Sequence, residues 1–434
     1  MQETEKTKKP IYYGWYVCAA TVFIGFVSIG ARNSFGVFVI PMSEEFEWSR
    51  FTVSIAAALG VLTNGLIQPF MGQLFDRTGG RKVIITGLTV LGISTILLSL
   101  TFHILFLVFM FGFIASAAQA GPALSNTAAL MSRWFKRRRG TAISINSAAL
   151  SLGGLIMVPF SMYLLQATDW RTALVALVNI VLAGVPLAYF FIHERPSDMG
   201  LYPDGDDAPP SDSPNLPRRE VKGPLEVENW RESFKSAPIW QMAGSYFVCG
   251  TTTFVLSVHF IPFAIEDRGV SGTTAATIFG YMMGLNIIGA LGAGMLSDKI
   301  GGTKNWLALV YLMRGVAYVC LLTIDSVAGL WIFASIAGFS WVATLPLTSS
   351  LTADVYGLKA LGTISGITFM FHQFGGFGSV LLAGLLFDIT GSYVLPFGIV
   401  AALLFPAAIS AFMIKERKYS VRYQTPLPTP AGGD

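Results

Sequence analysis

Charge is what this sequence has least of. Asp, Glu, Lys and Arg make up 12% of its 434 residues, against about 25% in a soluble globular domain. Hydrophobic residues make up 53% and mean hydropathy is +0.60, a composition that excludes a string of soluble domains. Cysteine is also scarce. Cys18, Cys249 and Cys320 all fall within apolar runs and no CxxC pair exists, so neither a disulfide framework nor a zinc site is expected. The Gly-rich phosphate loop is missing, so ATP-driven pumping is not expected. No His, Asp, Glu or Cys cluster has metal-ligand spacing and no nucleophile is paired with a base, so enzyme and cofactor readings have nothing to rest on. The net charge of +4 is modest and gathers on one side, which indicates no nucleic-acid partner. Nor does any Asp or Glu lie in the middle of an apolar run.

Span-length apolar sequence is what the chain has in abundance. A membrane-crossing helix needs about 20 apolar residues, and twelve runs qualify: 14–40, 52–74, 83–101, 104–128, 140–165, 171–192, 237–263, 275–297, 305–323, 328–350, 361–387 and 393–414. The first is too long for a cleaved signal peptide and reads as the first span. The 45 Gly suit a bundle whose helices pack through small residues. Residues 193–236, rich in Pro, Asp and Ser, cannot support a packed core and break the chain into six spans plus six. The expected organisation is an N-terminal six-helix half (1–192), a cytoplasmic linker (193–236) that ends in a short amphipathic helix around Trp230–Lys235, a C-terminal six-helix half (237–414) and a disordered cytoplasmic tail (415–434). With the N-terminus inside, 24 of the 29 Lys and Arg fall on the inner side. Arg50, Arg171 and Arg268 fall outside, and Arg32 and Arg314 fall within spans. That bias puts both termini in the cytoplasm.

The halves repeat each other. Gly72–Lys82 reads GQLFDRTGGRK and Gly294–Lys304 reads GMLSDKIGGTK, both of the form G-x-x-x-D-[RK]-x-G-G-x-K. On this repeat the chain resembles the major facilitator superfamily over essentially its full length. The resemblance implies an all-α membrane protein, twelve transmembrane helices in two six-helix halves, and a gating role for the repeated loop. Its residues are Gly72, Asp76, Arg77, Gly79, Arg81 and Lys82 in the first copy, and Gly294, Asp298 and Lys299 in the second. Physically, Gly72 permits close helix approach. Asp76 can meet a helix N-terminus or a basic side chain, a contact that a small movement breaks. Arg77, Arg81 and Lys82 hold the loop at an anionic surface. YYGWYV and SFGVFVIP in span 1, SRWFKRRRGTA after span 4 and HQFGGFGSVLLAGLLFD in span 11 are similar to bacterial relatives of the monocarboxylate transporters and oxalate/formate antiporters. That branch implies the cell inner membrane. The Asp/Arg pair that animal monocarboxylate transporters carry in span 8 falls here on Asn286 and Ala290, so proton handling by that pair is not expected.

Arg32 is the residue this composition least explains. An Arg at mid-span costs about 2.5–3.5 kcal/mol on insertion scales, and no intramembrane carboxylate is there to pair with it. A guanidinium binds a carboxylate through two hydrogen bonds, so Arg32 is the first candidate ligand for an anionic substrate. The competing reading is an arginine satisfied by helix carbonyls or Asn33. Arg314, on a peripheral helix, is expected to be structural. Further candidates at depth are Asn286 and Tyr281 in span 8, Gln119 in span 4, His259 in span 7 and His372 in span 11; the competing reading of each is a bond across helices. The expected function is secondary active transport of a small organic anion, a mono- or dicarboxylate, by alternating access, as symport or exchange with a proton or counter-substrate. The lipid bilayer is the only other partner expected, and the bundle can act as a monomer. Efflux of amphipathic compounds is the alternative. A non-transporting sensor of the same fold is disfavoured by the short tail.

Overall fold

The computed structural model describes residues 11–135, 138–206, 223–300, 302–357 and 361–424; of the helical residues 139, 140, 294, 298, 299 and 362 only the backbone is described. Its helices are α1 (Gly14–Phe46), α2 (Arg50–Thr78), α3 (Gly80–Leu98), α4 (Ile104–Ala118 continued by Leu124–Trp134), α5 (Arg139–Ala167) and α6 (Trp170–Phe191). The second set is α7 (Ala237–Glu266), α8 (Gly272–Ile300), α9 (Thr303–Thr323), α10 (Val327–Tyr356), α11 (Leu361–Thr390) and α12 (Val394–Met413). Eleven of the described helices are long and apolar enough to cross a membrane. The exception, α4, stops at Gln119–Ala123, where Pro122 withholds an N–H and Gly121 packs on Gly87. Twelve helices in two six-helix halves is the architecture expected from the sequence.

Three helices are interrupted rather than straight. α1 breaks at Ser34, whose Oγ donates back to Gly30 O (2.9 Å). α4 carries a π-helical stretch, Val108–Ala115, before its gap. α10 breaks at Trp341–Ala343, just ahead of Pro346, which withholds the N–H that a continuous helix would give to Val342 O. Such breaks free carbonyls and N–H groups that hydrocarbon cannot satisfy, so side chains must.

The halves are related residue by residue at a spacing of 222. Gly153-Gly154 of α5 and Gly375-Gly376 of α11 stand at that spacing. A Cβ on Gly153 would come within 2.6 Å of Phe26 O in α1, and one on Gly375 would collide with Phe247 O in α7. Only glycine lets these backbones approach so closely. The α1–α5 and α7–α11 pairs are accordingly among the closest-packed in the molecule.

Between the halves, α2 meets α11 and α5 meets α8. Asp388 of α11 accepts from the backbone N–H groups of Arg50 and Phe51 at the start of α2, each at 2.9 Å. At the positions 222 residues away, Gln166 of α5 accepts from Thr273 Oγ1 at the start of α8 (2.8 Å). Deeper in, Gln373 Nε2 of α11 donates to Val61 O of α2 (3.0 Å), and Asn286 Nδ2 of α8 donates to Ser151 Oγ of α5 (3.0 Å). Among the described residues no hydrogen bond or ion pair joins the halves beyond those two levels. Past them the halves diverge, and a Cβ on Gly72, Gly292 or Gly366 would meet nothing within 4 Å. Among the described residues the halves are therefore joined on the face opposite the chain ends and unbonded on the face that carries them. The close approach expected of Gly72 is not made in this arrangement, where a Cβ there would meet no neighbouring helix.

Outside the helices, residues expected in the linker pack on the first half: Trp134 Nε1 donates to His193 O (2.9 Å). The expected short helix is present as Trp230–Ser233. The stretch expected to begin a disordered tail is instead folded, with helical turns at Glu416–Tyr419 and Val421–Tyr423. Residues 425–434 of that tail, and 207–222 of the linker, lie outside the described residues.

Candidate substrate site and gating loops

Arg32 sits on the last turn of α1 before its break. Its guanidinium lies over the ring of Phe254 in α7, with Cζ 4.8 Å from the ring centroid. Nη2 is buried and has no hydrogen-bond partner. A ring face attracts the cation but offers no lone pair to its N–H groups. Phe254 can take this place because Gly376 has no Cβ to collide with it. Beside the guanidinium is a cavity of ≈ 60 Å³ bounded by α1, α2, α3, α4, α6 and α7. Arg32 is the one charged residue in its wall; Thr95, Ser116, Gln119 and Ser257 are polar, and most of the rest is apolar. Phe35 and Phe111, stacked at 4.1 Å, form part of the apolar wall. The space is small, which suits a ligand with few non-hydrogen atoms.

Of the candidates singled out in the sequence, Gln119 shares this cavity, and its Nε2 donates to Ser28 O (2.9 Å). His372 approaches the other side of Phe254, ring centroids 5.6 Å apart, and its Nδ1 lies 3.2 Å from Gln373 Oε1. The other three are elsewhere. Asn286 is fully buried, with Nδ2 on Ser151 and Oδ1 accepting from Val342 N (2.9 Å) at the break in α10. Tyr281 faces outward with its hydroxyl 3.2 Å from Ser335 Oγ and its ring against Trp331. His259 is wedged between α2 and α11, with Nε2 3.2 Å from Val380 O and 3.4 Å from Ser54 Oγ. Arg314 is structural, as expected. Its Nη1 donates to Thr252 Oγ1 (2.8 Å), and its Nη2 to Ser340 O and to Trp341 O (2.6 Å), the carbonyls freed by the α10 break.

The first copy of the repeated loop is held by a residue that sequence reasoning missed, Glu194. Its Oε1 accepts from Arg81 N at the start of α3 (2.6 Å) and its Oε2 from Arg133 Nη1 of α4 (2.9 Å). Asp76 stands 3.8 Å from Arg133 and is largely exposed. Arg81 donates to Tyr189 O and lies over the Tyr189 ring. Gly79 turns with φ +93, and a Cβ there would meet Glu194 Oε1 at 2.7 Å. Arg77 and Lys82 point to solvent or lipid. In the second half Glu416 does the same work, accepting from Thr303 N (3.0 Å) and Lys304 N (2.9 Å) at the start of α9. A signal for both was there: Ile192-His-Glu-Arg and Ile414-Lys-Glu-Arg stand 222 positions apart, as the two copies of the loop do. The side chains of Gly294, Asp298 and Lys299 lie outside the described residues.

Among solved structures, a bacterial homologue of the human lysosomal transporter Spinster is similar in fold. In its inward-facing, occupied conformation it superposes with a TM-score of 0.69 at 14% identity, over 96% of this chain and 99% of that one. Its inward-facing, unoccupied conformation gives 0.67 at 16% identity, over 93% and 98%. Relatives by sequence include the uncharacterized MFS-type transporter YcxA of Bacillus subtilis, 28% identical over 92% of this chain and 93% of that one. Another is monocarboxylate transporter 13 of Bos taurus, 23% identical over 90% and 87%. The sequence profile described as the Major Facilitator Superfamily matches residues 21–380. With its twelve helices in two repeated halves and this match, the chain belongs to the major facilitator superfamily of membrane transporters.

Proposed function

We propose that this protein is a secondary active transporter of a small organic anion, a mono- or dicarboxylate, working by alternating access with Arg32 as the anion's ligand. The observation that carries the reading is the Nη2 of Arg32, buried, without a partner and beside a small cavity whose wall holds no other charge. A carboxylate there would supply the lone pairs that Phe254 cannot, in a setting where charge-assisted hydrogen bonds are strong. Gln119 and Ser257 line the same space and are the proposed polar contacts. With both termini in the cytoplasm of an inner-membrane protein, the arrangement described above is the inward-open state. Exchange against a counter-substrate, or symport with a proton, would supply the energy, and a monomer suffices. The gating loops with Glu194 and Glu416 are proposed to hold each half rigid while the halves rock.

The test is uptake of small carboxylates into proteoliposomes by the wild type and by Arg32→Ala, with thermal unfolding as a check on folding. The expected outcome is at least about a tenfold fall in uptake, the loss of one strong charge-assisted bond, with unfolding temperature kept. Unchanged uptake in Arg32→Ala sinks the reading. The aromatic wall of Phe35, Phe111 and Phe254 favours a second reading, efflux of an amphipathic compound; saturable dye export indifferent to Arg32 would favour it.

A further inference from the structure

We infer that the rim of the second half, on the face that carries the chain ends, holds a binding site for an anionic phospholipid, built by Lys304, Lys415, Arg417 and Lys418. These residues line an open groove between the start of α9 and the turn that follows α12. One carboxylate, Glu416, shares that groove, and it is spent: it is 1% exposed and both of its oxygens cap the N-terminus of α9. Lys415, Arg417 and Lys418 are exposed and have no acidic partner among the described residues. Lys304 Nζ donates to Phe412 O (2.8 Å) at the end of α12 and leans over the Phe412 ring, which fixes one ammonium at the groove's edge with two donors to spare. The groove thus sets four cations against one carboxylate, which is buried and turned to the helix start, so the field at its mouth is positive.

Its lower edge identifies the source of the anion. Directly alongside the cations, Ile300, Ile409, Phe412 and Met413 are between 59% and 68% exposed. Apolar exposure of this size is tolerated where acyl chains cover it. A free phosphate would match the cations alone. A phospholipid places its phosphodiester between Lys415 and Arg417 and its chains along the outer face of α12, so it matches both. Tyr423, whose hydroxyl accepts from Gly302 N (2.9 Å), closes the far wall. The site depends on the chain lying in a bilayer and not on what Arg32 binds.

The experiment uses the full chain in an uncharged detergent, with thermal unfolding followed after addition of phosphatidylglycerol, phosphatidylcholine or inorganic phosphate. Phosphatidylglycerol is expected to raise the unfolding temperature by at least about 3 °C, as a ligand well above its dissociation constant does. Phosphatidylcholine and phosphate are expected to raise it far less. The variant Lys415→Gln/Arg417→Gln/Lys418→Gln should lose about two-thirds or more of the shift, and Lys415→Arg/Lys418→Arg should keep it. Equal stabilisation by phosphatidylcholine, an equal effect of phosphate, or a triple variant that keeps the full shift overturns the proposal. Should the triple variant fail to fold, native mass spectrometry of the wild type in a mixture of the two lipids decides. Preferential retention of phosphatidylglycerol supports the site; retention without preference rejects it.

Discussion

Arg32 and Arg314 lie at comparable depth in their helices, and their surroundings set them apart. Arg314 gives its donors to Thr252 and to the carbonyls of Ser340 and Trp341, so it is part of the α10 break. Arg32 gives Nη2 to nothing. Their alanine variants should therefore behave oppositely. Arg314→Ala leaves two carbonyls unsatisfied in a dry interior and should cost about 3 kcal/mol or more, seen as a lowered unfolding temperature and a poor yield of folded protein. Arg32→Ala removes an unpaired buried charge and should leave stability unchanged or raise it. Equal loss of stability in both would make Arg32 structural too. The sequence showed two arginines in apolar runs and assigned Arg314 to structure through the resemblance to a known fold. It could not show why: Pro346 announces a break after SWVAT, but nothing in those letters points to Arg314 as the residue that satisfies it. Phe254 was invisible for a similar reason. A phenylalanine in an apolar run carries no mark of the cation above it.

At the scale of elements, the paired asparagines redefine one candidate. Asn64 of α2 donates through Nδ2 to Ser116 O (3.1 Å), next to the break in α4. Asn286, 222 residues on, accepts from Val342 N at the break in α10. Each satisfies backbone that a broken helix exposes, in a medium where water cannot. Asn64→Leu and Asn286→Leu should each cost about 1–3 kcal/mol of stability and lower the maximal transport rate with little change in apparent substrate affinity. A role for Asn286 in substrate binding would show the reverse, a raised KM in a variant as stable as the wild type. The twelve helices were legible because apolar run length is a direct physical requirement of the bilayer. Span 4 was legible as a span, while its gap at Gln119–Ala123 had a Gly-Pro signal that a window average hides. The copy of the loop pattern revealed the repeat, and carrying its spacing of 222 through the chain would also have found Glu194, Glu416 and Asn64. What the repeat could not reveal is the partner chosen at each position, since Trp341 stands where Gln119 is in the first half and Asp388 where Gln166 is.

At the scale of the whole molecule, the joined face is held by more than packing. Arg50 is buried at the start of α2, ion-paired with Glu266 at the end of α7, and its guanidinium faces the Phe387 ring of α11. Asp388 caps the same helix start, and His259 fits between Ser54 and Val380 just beneath. The sequence placed Arg50 in an outer loop and no more, because nothing local reveals a partner 216 positions away. Alternating access would require these contacts to part together, since all but that of His259 with Val380, which lies within the second half, join one half to the other. One close approach is at Gly384 of α11, where a Cβ would come within 2.9 Å of both Phe51 Cα and Ser54 Cβ. A pair of cysteines at 54 and 384 would need the helices to ease apart by about 1 Å to reach the usual Cβ separation of about 3.8 Å, a shift within the reach of two helices that must separate anyway. With Cys18, Cys249 and Cys320 replaced by serine, oxidised Ser54→Cys/Gly384→Cys should be trapped with this face shut. Net transport should fall to background and return on reduction, while ligand binding from the open face survives. An oxidised, cross-linked protein that still transports at the reduced rate would mean that the halves do not part at α2 and α11, and that the substrate passes between them by another route.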